Sequence, residues 1–307
     1  MEPFTRQKRN AKFNKHQISL NNMIDLSKIK EKKSTKELLE FSIINIDKPT
    51  GPTSFWTSQF VKKSLKLKKT SHLGTLDPMV TGVLPVGLNR ACRLNEYLMH
   101  RDKVYVGIMR LHEEVSEEKL EGEMKKFLGK ITQLPPVRSR VKRAERIREV
   151  KQFKIIEKDG KDVLFLSDVQ AGTYIRKLIH DLGERIGGAH MLELRRTRAG
   201  VFEEINSINL YDFKKAIDEY KKGNDKLLRE ILIPGEIVAK LLPIVQIRKD
   251  VVKKVLSGSP IFQTFLETSS NLKKDEKICI FSEDKFIGCY NVINSGDLFA
   301  KPEFVKN

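Results

Sequence analysis

The stretch Ser71-His72-Leu73-Gly74-Thr75-Leu76-Asp77-Pro78-Met79-Val80-Thr81-Gly82-Val83-Leu84-Pro85-Val86-Gly87-Leu88 sets one carboxylate between two glycines and a run of apolar residues. Pro78 pushes the residue before it out of the helical region, so Asp77 is expected on an irregular loop. Gly74 and Gly82 bracket that loop and permit backbone angles and close approaches that a side chain would forbid. Val83, Leu84, Val86 and Leu88 then read as a buried strand. The result is a lone acid on a loop braced by apolar chain, although an Asp-Pro pair flanked by glycines is also what an ordinary turn looks like.

The composition around this centre points to a polyanionic partner. Lys and Arg number 58 against 40 Asp and Glu in 307 residues, a formal charge of +18 with a pI near 9.7. Nucleic acid is the leading candidate. A membrane surface would attract the same charge, but no apolar run approaches the ~18 residues of a spanning helix, and no signal peptide is visible. The expectation is a soluble intracellular chain with no membrane partner. Hydrophobic residues, at 39%, suffice for a core, and the length favours one large domain plus a smaller one. Cys92, Cys279 and Cys289 are odd in number without paired short spacing, which argues against a disulfide framework and a zinc knuckle. The six histidines are scattered, so no metal site is expected.

Along the chain, residues 1–40 form a basic arm, readable either as a solubilising tail or as an RNA-contacting or domain-strapping segment. Residues 41–46 read as a strand, and 47–54 as a turn leading to Thr53 or Ser54 as the N-cap of a helix through about Leu65. Lys62, Lys63, Lys66, Lys68 and Lys69 then carry positive charge up to His72. Residues 103–111 read as a strand with Tyr105 on one face. Ser116 caps a helix whose Leu120, Met124, Phe127 and Leu128 form an apolar stripe, ended by Gly129. Residues 137–151, which include Arg138, Arg140, Lys142 and Arg143, are the densest basic segment and are favoured as an RNA-gripping loop. A strand at 163–169 leads through Gly172-Thr173-Tyr174-Ile175-Arg176 into a helix with Ile175, Leu178, Ile179, Leu182 and Ile186 on one face. Gly187-Gly188 ends it, and Arg176 lies off the apolar face. Helices are expected within 210–240. From about Pro243 the pattern turns strand-rich, with strands at 244–247, 277–281 and 286–292 and a short helix at 251–256.

The string from His72 to Pro78, followed by Thr81-Gly82-Val83-Leu84-Pro85, resembles the active-site motif of the TruB family of pseudouridine synthases. The resemblance implies an α+β fold, a mixed-sheet catalytic domain at 41–240 followed by a small β-rich RNA-binding pseudo-barrel of the PUA type at 241–307. It also implies roles. Asp77 would be the catalytic aspartate and His72 would help hold the displaced nucleotide, while Lys48 and Pro49 support the loop from beneath. Tyr105 would stack on the target base, and Leu194, within the similar string 192–200, would pack against it from the other side. Tyr174 would line the pocket, and Arg176 would pair with Asp77 and favour its charged form.

Pseudouridine formation breaks the bond between uracil N1 and the ribose, turns the base and rejoins it through C5. Asp77 could act as a covalent nucleophile or by removing a proton, and no cofactor is implied. Leu111-His112-Glu113-Glu114-Val115 passes directly into the helix at Ser116, which resembles the dyskerin-like catalytic subunits of box H/ACA ribonucleoproteins rather than the bacterial branch. That branch implies a guide RNA, small protein partners and rRNA or tRNA substrates. The archaeal form is preferred, with cytoplasmic placement; a eukaryotic form would be nucleolar. Two alternatives stand beside it: a stand-alone tRNA uridine-55 isomerase, and a noncatalytic RNA-binding protein.

Overall fold

The structure, a computed structural model, describes residues 24–134 and 144–307. The chain divides into two compact units, one of Ile43–Leu232 and one in which residues up to Ser42 join Ile233–Asn307. Packing thus draws the boundaries differently from the expected 1–40, 41–240 and 241–307: the described part of the basic arm belongs with the C-terminal unit.

The larger unit is built on a mixed sheet. Its strands are β1 (Ser42–Lys48), β2 (Thr70–His72), β3 (Thr81–Leu88), β4 (Lys103–Leu111), β5 (Gly129–Gln133), β6 (Arg146–Asp159), β7 (Asp162–Val169), β8 (Ala189–Ala199) and β9 (Phe202–Glu203). They run in the order β1-β3-β8-β4-β7-β6-β5, with β2 against β3 and β9 against β8. Among these strand pairs the short β3–β8 pairing is parallel and the others are antiparallel. β4 lies at the centre, where Gly107 faces Leu194 of β8 and Phe165 of β7. A Cβ there would come within 2.7 Å of the Glu193 carbonyl oxygen and 2.9 Å of Leu194 Cδ1, so the three strands close only over a glycine.

Two helices cover one face. Glu117–Lys125, capped by the Ser116 side chain, buries Leu120 and Met124. Ile175–Ile186 buries Ile175, Leu178, Ile179, Leu182 and Ile186, and ends at Gly187 with φ +88°. These side chains form one core with Leu76, Val80, Leu84, Met109 and Phe165. At about 1.5–3 kcal/mol for each fully buried large apolar side chain, this core anchors the loop around Asp77 through its neighbours on both sides.

In the second unit five strands run in the order Ile244–Gln246, Lys277–Ser282, Lys285–Ser295, Leu298–Val305, Ile261–Phe262. Ile278, Ile280, Ile287, Tyr290, Val292 and Phe299 form its core. Helices Leu26–Lys32, capped by Asp25, and Thr35–Glu40, closed by a Ser34–Glu37 capping box, precede Phe41, which stacks on Phe286 at 5.5 Å.

Candidate active site

The backbone on each side of Asp77 is fixed from several directions. Ser54, the first residue of the helix Ser54–Ser64, donates its hydroxyl to the Leu76 carbonyl and accepts from the Leu76 amide, both at 2.8 Å. Lys48, completely buried at the end of β1, donates from Nζ to the carbonyls of Pro49 (2.7 Å) and Pro78 (3.0 Å). The Gly51 amide also donates to the Pro78 carbonyl at 2.9 Å, and the Val80 amide to the Asp77 carbonyl at 3.0 Å. Burial pushes the Lys48 ammonium below its ordinary range, and the nearby charge of Asp77 opposes the shift. Lys48 therefore sits beneath the loop, with no surface left for a ligand.

Arg196 braces the other side. Only 1% exposed, it donates Nε to the Val83 carbonyl at 2.8 Å and Nη2 to the Gly74 carbonyl at 3.0 Å. β3 crosses β8 beside it at Gly82, whose φ is +97°. His72 contacts Thr75 Oγ1 through Nε2 at 3.0 Å. Burial, reinforced by the Arg196 charge, lowers its pKa from the usual 6.5, so its imidazole is neutral at pH 7.

With its neighbours held, Asp77 leaves its side chain half exposed, and Oδ2 meets Arg176 Nη2 at 2.6 Å. Arg176 stands in the first turn of the helix Ile175–Ile186. Tyr174, at the cap position, is held by buried Gln133: the Tyr174 amide donates to Gln133 Oε1 at 2.9 Å, and Gln133 Nε2 donates to the Tyr174 carbonyl at 3.2 Å. Tyr105 lies opposite Arg196, and Gly107 opposite Leu194. Alternation along the strands puts Tyr105 and Leu194 on the same face of the sheet. Tyr105 is partly buried against the core that contains Leu194, Leu76 and Val80. Direct contact thus joins Asp77 to Arg176, while Tyr105 and Leu194 share the face against which the loop packs. Arg138, Arg140, Lys142 and Arg143 lie outside the described residues.

Sequence reading passed over Arg196, Ser54 and Gln133. A signal for Arg196 existed: it is two residues from Leu194 on a strand, so an inward leucine implies an inward arginine. In sequence Ser54 reads only as a cap, a role that Thr53 takes, which frees the Ser54 hydroxyl for Leu76. Gln133 carried no signal, because nothing local connects it to Tyr174, 41 positions on. One cluster was also unforeseen. His180, Asp181 and Glu184 bring ligand atoms within 4.8 Å of one another, but they are largely exposed and Lys177 already pairs with Asp181.

Comparison with known proteins bears on this arrangement. Residues 62–175 match the N-terminal domain of the TruB family of pseudouridylate synthases, and residues 176–239 match the tRNA pseudouridylate synthase B C-terminal domain. A "Probable tRNA pseudouridine synthase B" of Thermococcus onnurineus is 42% identical over 277 residues, covering 88% of this chain and 83% of that protein. The Methanopyrus kandleri protein of that description is 46% identical over 231 residues, 75% and 68% of the respective chains. Among solved structures, a chain of a Cbf5-Nop10-Gar1 complex superposes with a TM-score of 0.83 at 38% identity, covering 90% of this chain and 88% of that one. A chain of an H/ACA RNP bound to a substrate RNA containing 2'-deoxyuridine gives 0.82 at 36% identity, with coverage of 90% and 88%.

Proposed function

Since the chain belongs to the TruB family of pseudouridylate synthases, we propose that it isomerises uridine with Asp77 as the reacting carboxylate, in RNA positioned by an H/ACA-type guide and small protein partners. The observation that supports this site is the Asp77–Arg176 pair at 2.6 Å, on a loop fixed by Lys48, Ser54 and Arg196 and still open to a ligand. The guide-dependent setting rests on the likeness to chains solved in Cbf5-Nop10-Gar1 and substrate-bound H/ACA RNP complexes.

The uridine leaves its stack at a cost of a few kcal/mol and enters between Tyr105 and Leu194, with His72 and Tyr174 beside it. Asp77 acts on it as nucleophile or base while Arg176 pairs with the carboxylate. The glycosidic bond to N1 breaks, the base turns, and a bond from C5 to the same ribose carbon forms. The C5 proton is lost and N1 gains one, so the reaction consumes no water. The C-terminal unit is read as a PUA-type RNA-binding module. No helix among the described residues is long and apolar enough to cross a membrane, and the archaeal reading of the assembly carries the expectation of a cytoplasmic protein.

The second reading is stand-alone action on tRNA, favoured by the descriptions of the curated relatives. Tritium release from C5-labelled RNA separates the two: the guided reading requires guide RNA and partner proteins, whereas release from tRNA by the chain alone selects the other. In either assay Asp77→Asn is expected to abolish release while RNA binding persists. Its stability should stay within about 1 kcal/mol of the parent, because an ion pair this exposed contributes little. Retained isomerisation would remove Asp77 from the reaction.

A further inference from the structure

The helix Ser54–Ser64 begins with two large side chains that the core does not use. Phe55 is 65% exposed and Trp56 50% exposed, and Met79, two residues beyond Asp77, is 73% exposed. All three flank the Asp77 loop. Phe55 and Trp56 directly follow Ser54, whose hydroxyl clamps Leu76, and Thr50 Oγ1 lies 4.0 Å from Met79 Sδ. Trp56 is not a loose surface ring. One of its faces is stacked on Phe60, with centroids 5.3 Å apart and planes 7° from parallel, and Phe60 is backed edge-on by buried Phe213. The indole is thus held flat from below, and half of its surface remains in solvent.

The charge around these rings selects the occupant. Between Asp47 and Asp77 the chain has no acidic residue, while Lys62, Lys63, Lys66, Lys68 and Lys69 follow the aromatic pair. None of these five forms an ion pair among the described residues. Lys62 and Lys63 stand seven positions after Phe55 and Trp56, about two helical turns along the same ridges. A rigid aromatic face that continues into unpaired ammonium groups is the surface on which a single-stranded nucleic acid places bases and phosphates. The chemistry next door can use such a surface. Turning a uridine out of its stack strips the neighbouring base of a stacking partner, and an aromatic ring beside the catalytic loop can replace it.

We infer that Trp56, with Phe55 beside it, is the stacking platform for an unpaired base of the RNA next to the uridine presented to Asp77, and that Lys62 and Lys63 take the adjoining phosphates. This rests on the reading of Asp77 given above. The platform sets where the strand lies relative to the loop and leaves the reacting atoms to Asp77.

Trp56 is the single tryptophan of the chain, so the test has a built-in probe. The full-length protein is titrated with a short fluorescein-labelled oligouridylate, following dye anisotropy for binding, and with its unlabelled form, following indole emission for stacking. The expected result is quenching that tracks binding, affinity on the order of tenfold weaker in Trp56→Ala, and recovery in Trp56→Phe. Phe55→Ala, which removes an exposed ring without opening the core, should weaken binding to a smaller degree. An oligomer of abasic sites carries the same phosphates and should bind through the lysines without quenching. Saturated binding with unchanged emission, equal quenching by the abasic oligomer, or full RNA affinity in Trp56→Ala would each overturn the platform. A Trp56→Ala protein that binds the oligomer normally but loses a protein partner would assign the patch to protein docking and overturn it too. Asp77→Asn separates this inference from the catalytic reading. Quenching with retained isomerisation removes Asp77 from the chemistry, whereas lost isomerisation without quenching sinks only the platform.

Discussion

The basic side chains of the site divide by burial, and burial decides what each can do. Arg176, more than half exposed, is free to hold the Asp77 carboxylate. Arg196 and Lys103, at 1% and 6% exposure, can only support. Lys103 donates to the carbonyls of Met99 and Arg101 and has no carboxylate in contact among the described residues. Burial pulls its ammonium down to about 8, the Arg196 charge adds to the shift, and Asp102 opposes it. The unfolded chain keeps that proton up to the ordinary lysine value of 10.5. Between about pH 8 and 10.5 the unfolded state therefore binds more protons than the folded one, and the Lys103 contribution to stability rises with pH; below 8 both states are protonated and the burial penalty is constant. Urea unfolding of the parent and Lys103→Met across that range is expected to show the difference moving in favour of the parent by up to about 3 kcal/mol between pH 8 and 10.5. A difference that stays flat to pH 10.5 would mean that the ammonium titrates as if solvated.

At the scale of elements, the critical point is the crossing of β3 and β8, where Gly82 faces Arg196. A Cβ on Gly82 would lie 2.2 Å from the Arg196 carbonyl oxygen, and the residue has φ +97°. Gly51 has a similar φ of +102° but nothing within 4 Å of its missing side chain, which makes it an internal control. Gly51→Ala should cost only backbone strain, about 1–2 kcal/mol. Gly82→Ala adds collision with a strand backbone, so a loss above about 3 kcal/mol is expected, together with loss of isomerisation as Arg196 is displaced from Gly74. Equal midpoints for the two variants in chemical denaturation would show that the crossing yields easily. The elements legible in sequence were those with clear periodicity. β4 matches its expected 103–111, and the helix at Ile175–Ile186 follows its apolar face. β6 is not legible in the sequence, where its start, with Arg146, Arg148 and Lys151, reads as part of a gripping loop. Most of its residues are solvated, so it has no clean alternation, and it is a strand because β7 and β5 pair with it on either side. Of the site, the Asp77 loop and Arg176 stood in recognisable strings. The Gln133–Tyr174 clamp did not, since it is made between distant segments.

On the scale of the whole molecule, a net charge of +18 does not mean that every lysine faces a polyanion. Lys33, counted with the basic arm, is turned inward in the unit that joins residues up to Ser42 with Ile233–Asn307. Its Nζ donates to Glu236 Oε1 at 2.6 Å, and Lys306 Nζ donates to the same oxygen at 2.8 Å. Glu236 is 1% exposed, its Oε2 has no hydrogen-bond partner among the described residues, and the Lys306 ammonium lies over the Phe41 ring at 4.7 Å. One carboxylate thus ties a segment from the start of the described chain to its last strand region, where composition alone suggested an arm available to RNA. Two ammonium groups on one buried acid leave little tolerance for its loss. Glu236→Ala leaves both cations largely desolvated without a counter-charge, an effect of about 3 kcal/mol or more, whereas replacing all three partners by apolar residues of similar size can be neutral. Denaturant unfolding of Glu236→Ala is therefore expected to show a clear loss, and the triple variant Lys33→Met, Glu236→Met, Lys306→Met to recover most of it. If the single variant unfolds at the parental midpoint, water reaches these lysines and residues 24–42 are held by Leu38 and Phe41 rather than by charge. If the triple variant stays as weak as the single one, the cluster contributes through its hydrogen bonds, which apolar packing does not replace.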